Sequence, residues 1–217
     1  MTQKKCMICG KIIAEGEKWT STLQGVMHVE CFKVWKTQEF IKKLQKSIDL
    51  LEKSKEEYAN RLISVFHTER QEMKLHEMVK KEVVNILQTA NFLTKTEVWL
   101  VDKTREVYRA PLIDYVLGGK YPSYLSRPYG ELPRIDLVAF LNYLKYREPS
   151  LLIAIEVSIT SFEKDAEKLK NATVFDARVL LTPQKTGYLY DVSVTNPRNF
   201  IDTIIETLSE FRGRIKE

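Results

Sequence analysis

The sequence predicts an α/β protein: a mixed sheet flanked by helices, preceded by a long helix and a small N-terminal metal-binding module. Three observations carry that expectation. All three cysteines lie within the first 31 residues. Neither Gly nor Pro occurs from Val26 to Ala110, and apolar residues in that stretch recur at helical spacing. From Thr96 onward, short β-branched and aromatic runs alternate with amphipathic segments and turn residues, the pattern of strands interleaved with helices. The expected division is a finger over residues 1–35, a helical spacer over 36–69 and an α/β domain over 70–217.

The cysteines come first along the chain. An odd number concentrated at one end argues against a disulfide framework and for a metal site. The ligand candidates read Cys6-x2-Cys9-x18-His28-x2-Cys31. Two intervening residues let a tight turn aim both members of a pair at one ion, and three thiolates plus one imidazole complete a tetrahedral Zn²⁺ shell. Gly10 follows the first pair, where such a turn needs a permissive backbone. Four protein ligands leave no open position, so the expected zinc is structural. The segment CMICGKIIAEGEKWTSTLQGVMHVECF resembles the first half of a LIM-type finger and is similar to the fingers of poly(ADP-ribose) polymerases. The first resemblance implies protein binding and the second implies binding of DNA breaks. Lys4, Lys5, Lys11, Lys18, Lys33 and Trp19 suit phosphates and a base, or equally a solvated surface.

The spacer is read as one amphipathic helix over residues 36–66. Phe40, Leu44, Ile48, Leu51, Tyr58, Leu62 and Val65 line one side, and the other side is charged. Such a stripe suits a coiled coil that makes a homodimer, or an intrachain hairpin. A second helix is expected from Thr68 to Phe92, with Met73, Val79, Val83, Ile86 and Leu87 as its apolar set. Expected strands are Glu97–Asp102, Ile135–Leu141, Leu151–Ile159, Ala177–Leu181 and Gly187–Val194. Helices are expected over Ser161–Ala172, capped by Ser161, and over Pro197–Lys216, capped by Asn196.

Two carboxylates stand out because they interrupt apolar strands: Asp136 in PRIDLVAFL and Glu156 in LLIAIEVSI. A carboxylate in a β-core is costly unless paired or ligated. Two on successive strands could share a hard cation, Mg²⁺ or Mn²⁺, which prefers oxygen ligands. Salt bridges to Arg134 or Arg178 are the plainer alternative. The order of elements and these two residues resemble the PD-(D/E)XK (restriction-endonuclease-like) nuclease superfamily. That resemblance implies metal-dependent endonuclease action on DNA, with Asp136 and Glu156 as catalytic metal ligands. Its usual strand lysine is absent, since the triplet reads Glu156-Val157-Ser158. A subgroup with a preceding helical segment, an EVS-like triplet and a DxEKL-like helix is closer. By that likeness Asp165 and Lys168 face the site and Lys168 is the displaced lysine, ahead of Lys164 and Lys170. Glu77 and Glu82 are further carboxylate candidates on the preceding helix, and His67 and His76 receive no role. A degenerate fold that binds DNA or protein without catalysis is the competing expectation.

The loop Tyr115–Arg134 interleaves Tyr121, Tyr124 and Tyr129 with Lys120, Arg127 and Arg134. Aromatic faces beside cations suit a nucleic-acid contact, and a Pro-rich packing loop fits as well. Net charge is +5, spread along the chain, so any nucleic-acid surface must be local. Gly118-Gly119-Lys120 lacks the spacing of a triphosphate-binding loop, which excludes that class. No apolar run is long enough for a membrane span, and no secretory signal is evident, so a cytoplasmic location is expected.

Overall fold

A computed structural model of the chain describes residues 4–68, 71–99, 105–119, 134–142 and 149–216. The finger comes first. A two-stranded hairpin, β1 (Trp19–Thr22) and β2 (Gly25–His28), pairs Trp19 with His28 and Thr22 with Gly25. Three helices follow: α1 (Val29–Lys53), α2 (Lys55–Thr68) and α3 (Glu72–Thr89). Next come β3 (Leu93–Trp99), α4 (Arg105–Val116), β4 (Arg134–Asn142) and β5 (Ser150–Val157). The chain closes with α5 (Phe162–Asn171), β6 (Ala177–Leu181), β7 (Gly187–Leu189), β8 (Val192–Thr195) and α6 (Phe200–Lys216).

Strands β3 to β8 form one mixed six-stranded sheet in the order β3-β4-β5-β6-β8-β7. The β3, β4 and β5 pairings are antiparallel, and β5, β6 and β8 run parallel. Side-chain alternation sends the two faces of the sheet into two cores. Leu151, Ile153 and Ile155 of β5 meet Phe40, Leu44 and Leu51 of α1, Val79 and Val83 of α3, and Ile204 of α6. Leu152 and Ala154 face the other way, toward Ile113 of α4 and Ala166 and Leu169 of α5. The result is a mixed α/β arrangement with helices on both faces. Burying Leu44, Leu51 and Leu62 completely is worth on the order of 2 kcal/mol each.

The spacer helix differs from its expected form. It starts at Val29, inside the finger, and breaks at Ser54, whose N–H bonds the Leu51 carbonyl while its own carbonyl accepts from Tyr58. The apolar stripe is consumed within the chain. Phe40, Leu44, Ile48, Leu51, Tyr58 and Leu62 share one core with the sheet. Lys43 also reaches across to the Asn142 carbonyl on β4 at 2.7 Å.

Other expected boundaries also shift. Helix α3 stops at Thr89, because Asn91 adopts a left-handed backbone and the Phe92 N–H returns to the Leu87 carbonyl. That releases Leu93 to begin β3 four residues earlier than expected. The single strand expected over Gly187–Val194 is a hairpin. Tyr190 and Asp191 both have positive φ, the conformation of a two-residue turn whose twist matches its strands. Ser161 precedes α5 without a side-chain capping bond. Asn196 Oδ1 accepts from the N–H groups of Arg198 and Asn199, and the regular helix begins at Phe200. Helix α4, with Pro111 inside it, was not expected from the sequence. Its Arg109 reaches the Asp176 carboxylate with both guanidinium nitrogens, at 3.2 and 2.9 Å.

Candidate active site and zinc module

The finger brings its four ligand candidates together. Among the described residues, Cys6, Cys9, His28 and Cys31 are the group of metal-binding side chains whose ligand atoms all lie within 4.8 Å of one another. The first pair sits on a tight turn, closed by the Gly10 N–H on the Cys6 carbonyl, with Gly10 at φ +70°. His28 ends β2 and Cys31 lies in the first turn of α1. His28 Nδ1 lies 3.4 Å from the Cys9 sulfur and 3.8 Å from that of Cys31. Its other nitrogen, Nε2, meets the Glu17 carboxylate at 3.3 Å, and that carboxylate also accepts the Ala14 N–H. A carboxylate behind a histidine fixes the ring and the tautomer that leaves Nδ1 free for a metal. Glu17 is a residue that ligand counting alone does not find.

The thiols show why a cation belongs there. Burial and the neighbouring Cys9 and Cys6 thiols push Cys31 up to about 11. Burial also pushes Cys6 up, but backbone groups at Cys9, His28 and Ile8 outweigh it and bring that thiol to about 6. Three adjacent thiolates need a positive ion, and this donor set fits tetrahedral Zn²⁺.

The carboxylate site is built where β4 and β5 part. Their ladder runs from Asn142 opposite Ser150 to Leu137 opposite Ile155. Beyond it, side chains replace backbone partners. The Asp136 N–H donates to Glu156 Oε1 at 2.9 Å, and the Val157 N–H donates to Asp136 Oδ2 at 2.9 Å. On the far side of β5, the Ser158 N–H continues to the Leu181 carbonyl of β6. The alternation of β4 slips once at this point. Ile135 shares the core of Val138 and Phe140, whereas Leu137 and Leu141 belong to the opposite one.

Two helices, one on each face, complete the site. From α5, the Lys168 ammonium lies 2.5 Å from Glu156 Oε2 and 3.8 Å from Asp165 Oδ1. From α3, His76 Nε2 lies 3.0 Å from Asp136 Oδ2. These groups line an open cleft of about 810 Å³ together with Glu77, Met73 and Ile159.

The charges are unequal. Burial, and then the charge of Asp136, push the Glu156 carboxyl up to about 9 despite Lys168. Burial also raises Asp136, but the His76 hydrogen bond, the Val157 N–H and Lys168 together hold it below the usual range. The bond to Asp136 raises the His76 imidazole against the effect of burial. Burial raises Asp165. In the metal-free chain, then, Asp136 is the anion and Glu156 holds a proton. Two adjacent buried carboxylates, one of them held protonated despite Lys168, suit an oxygen-preferring divalent ion that keeps several of its waters.

The remaining sequence candidates are scattered. Lys164 is exposed, and Lys170 lies over the Tyr190 ring at 4.2 Å. Glu77 lines the cleft 2.6 Å from the Lys80 ammonium, and Glu82 pairs with Arg61 at 2.8 Å. Arg134 pairs with Glu97 at 3.4 Å, and Arg178 donates to the Lys170 carbonyl. Lys120, Tyr124 and Arg127, with Tyr121 and Tyr129, lie outside the described residues. His76, without a role in the sequence reading, touches Asp136. A signal for it exists: His76 and Lys80 fall beside the apolar positions Leu75, Val79 and Val83, so both ride the buried edge of α3.

Residues 2–97 match the model of a family described as an uncharacterized protein conserved in archaea (DUF2175). The matched part spans the finger, α1 to α3 and most of β3, and stops short of Asp136, Glu156 and Lys168. No curated protein and no solved structure matches the chain. Among the described residues, no helix is long and apolar enough to cross a membrane.

Proposed function

We propose that the chain is a metal-dependent endonuclease of the PD-(D/E)XK kind, hydrolysing phosphodiesters of DNA. The observation that carries this reading is the convergence of Asp136, Glu156 and Lys168, from β4, β5 and α5, on one open cleft. Asp136 and Glu156 hold Mg²⁺ or Mn²⁺. When bound, that ion screens phosphate charge and lowers the pKa of a coordinated water. Lys168, at the end of a flexible stem, turns from Glu156 to the scissile phosphate and takes the part that Ser158 is unable to fill. His76 orients Asp136 through its Nε2. Asp165 holds the base of the Lys168 ammonium toward the cleft. The zinc finger, with Lys4 stacked on Trp19 at 3.6 Å, assists in holding the nucleic acid.

One observation favours a second reading, a non-catalytic DNA- or protein-binding regulator with a degenerate nuclease fold. Both buried carboxylates already have internal partners, Asp136 in His76 and Glu156 in Lys168. An assay separates the two. Supercoiled plasmid and single-stranded DNA are incubated with zinc-loaded protein in Mg²⁺ or Mn²⁺, beside Asp136→Ala and Glu156→Ala. Metal-dependent cleavage that both substitutions abolish supports the nuclease. No cleavage in either metal, or cleavage unchanged by the substitutions, leaves the regulator.

A further inference from the structure

Lys80 has no part in the chemistry above, yet it is costly where it stands. It is 4% exposed, one helical turn beyond His76 on α3. Its ammonium lies 2.6 Å from Glu77 Oε1 and also bonds the Glu97 carboxylate. A leucine or methionine at 80 would extend the apolar edge formed by Val79 and Val83. Replacing a buried charge set by packed apolar side chains is often neutral or stabilising. Glu97 adds a second cost. Its φ of +54° is left-handed, a backbone state that a side chain such as glutamate rarely adopts. Strain of this kind clusters at functional sites.

Both costs fall beside Asp136. In the β3–β4 ladder, Thr96 faces Leu137 and Val98 faces Ile135, so Glu97 stands opposite Asp136. Glu156 flanks Asp136 on the other strand. Three carboxylates therefore cross three adjacent strands, with Asp136 in the middle. Each outer one carries a lysine: Lys168 on Glu156 and Lys80 on Glu97. The two lysines differ in freedom. Lys168 lines the cleft, whereas the Lys80 side chain is walled in and held by two carboxylates. Sites with two divalent ions place them about 3.5–4 Å apart among carboxylates. Here the second group of carboxylates already shares an ammonium.

We propose that Lys80 is the fixed second cation of this site, so that the chain takes up a single divalent ion, at Asp136 and Glu156, rather than a pair. The inference rests on the reading of Asp136 and Glu156 as metal ligands and does not depend on cleavage. Glu77 and Glu97 would otherwise form the second ion's cradle, and Glu97 accepts its strained backbone to aim at Lys80.

The test counts ions. Zinc-loaded full-length protein is titrated with Mn²⁺ by calorimetry, and the loaded sample is examined by electron paramagnetic resonance. The wild type is expected to bind one Mn²⁺ per chain with the spectrum of an isolated ion. Lys80→Ala, which takes the ammonium from Glu77 and Glu97 and leaves Glu97 with its longer pair to the exposed Arg134, is expected to bind two with a spin-coupled spectrum, and Lys80→Arg to return to one. Two coupled ions in the wild type, or a folded Lys80→Ala that still binds one, overturn the proposal and leave the Asp136–Glu156 site standing. No Mn²⁺ bound by the wild type overturns both. Should Lys80→Ala fail to fold by circular dichroism, the wild-type stoichiometry and spectrum decide alone.

Discussion

Glu156→Gln keeps the shape of a buried side chain and removes its titration, which makes it the sharpest probe of the site. Burial and the Asp136 charge push the Glu156 carboxyl from the ordinary 4.5 to about 9. The folded, metal-free chain thus keeps its proton through neutrality, whereas the unfolded chain releases it near the ordinary value. The folded pKa lies above the unfolded one. The corresponding stabilisation is complete below about 4.5 and is lost as pH rises toward 9. Within that window folding takes up one proton, and the unfolding free energy falls by about 1.4 kcal/mol per pH unit. From pH 7 to pH 8.5 the loss is about 2 kcal/mol, or roughly 4–8 °C in Tm for a chain of this size. Thermal unfolding of zinc-loaded, Mn²⁺-free protein followed by circular dichroism reads it. Titrations shared by wild type and Glu156→Gln cancel in the difference between the two curves. The variant is expected to gain stability relative to wild type as pH rises. Curves that stay parallel between pH 7 and pH 8.5 refute the raised carboxyl. The same proton must leave when a cation binds, so Mn²⁺ affinity is expected to rise up to about tenfold per pH unit below about pH 9.

Three further outcomes are expected. Cys9→Ser should lower the zinc content of the purified protein from one atom per chain, read by atomic absorption, because three ligands replace a closed set of four. Leu51→Ala should destabilise the whole chain by about 2–5 kcal/mol in urea unfolding, since Leu51 of α1 is fully buried in the core that holds Ile153 and Ile155; a change below about 1 kcal/mol would show a helix that packs independently of the sheet. Lys168→Met should reduce the cleavage rate by at least about tenfold while the chain still binds Mn²⁺, because in the proposed reaction Lys168 leaves Glu156 for the phosphate.

The site was more legible in the sequence than the path of the chain leading to it. Asp136 and Glu156 announce themselves as carboxylates inside apolar strands, and burial makes such residues expensive wherever they fall. The four finger ligands are equally plain, because spacing alone lets two tight turns share an ion. Glu17 and Glu97 were not legible, and His76 and Lys80 showed only as polar residues beside the apolar edge of α3. The significance of all four lies in contacts across 11 to 60 positions of sequence or in a positive φ, and local pattern does not name those partners. The break at Ser54 has no Gly or Pro to mark it, so apolar spacing ran α1 and α2 together. The hairpin at Tyr190–Asp191 lacks the Asn-Gly or Gly-Gly pair that usually signals such a turn, so β7 and β8 read as one strand. Helix α4 carries Pro111, which in a sequence reads as a stop. Asn91 stands in for the glycine that ordinarily ends a helix, and the boundary of α3 was missed by the same logic.

The most direct measurement is the rate of plasmid nicking in Mn²⁺ by wild type and by Asp136→Asn and Glu156→Gln, at matched zinc content and matched circular dichroism. The expected result is nicking by the wild type that depends on the added metal and falls by at least about a hundredfold in both variants. A wild type that leaves the plasmid supercoiled in Mn²⁺ and Mg²⁺, or variants that cut at the wild-type rate, would contradict hydrolysis at Asp136 and Glu156.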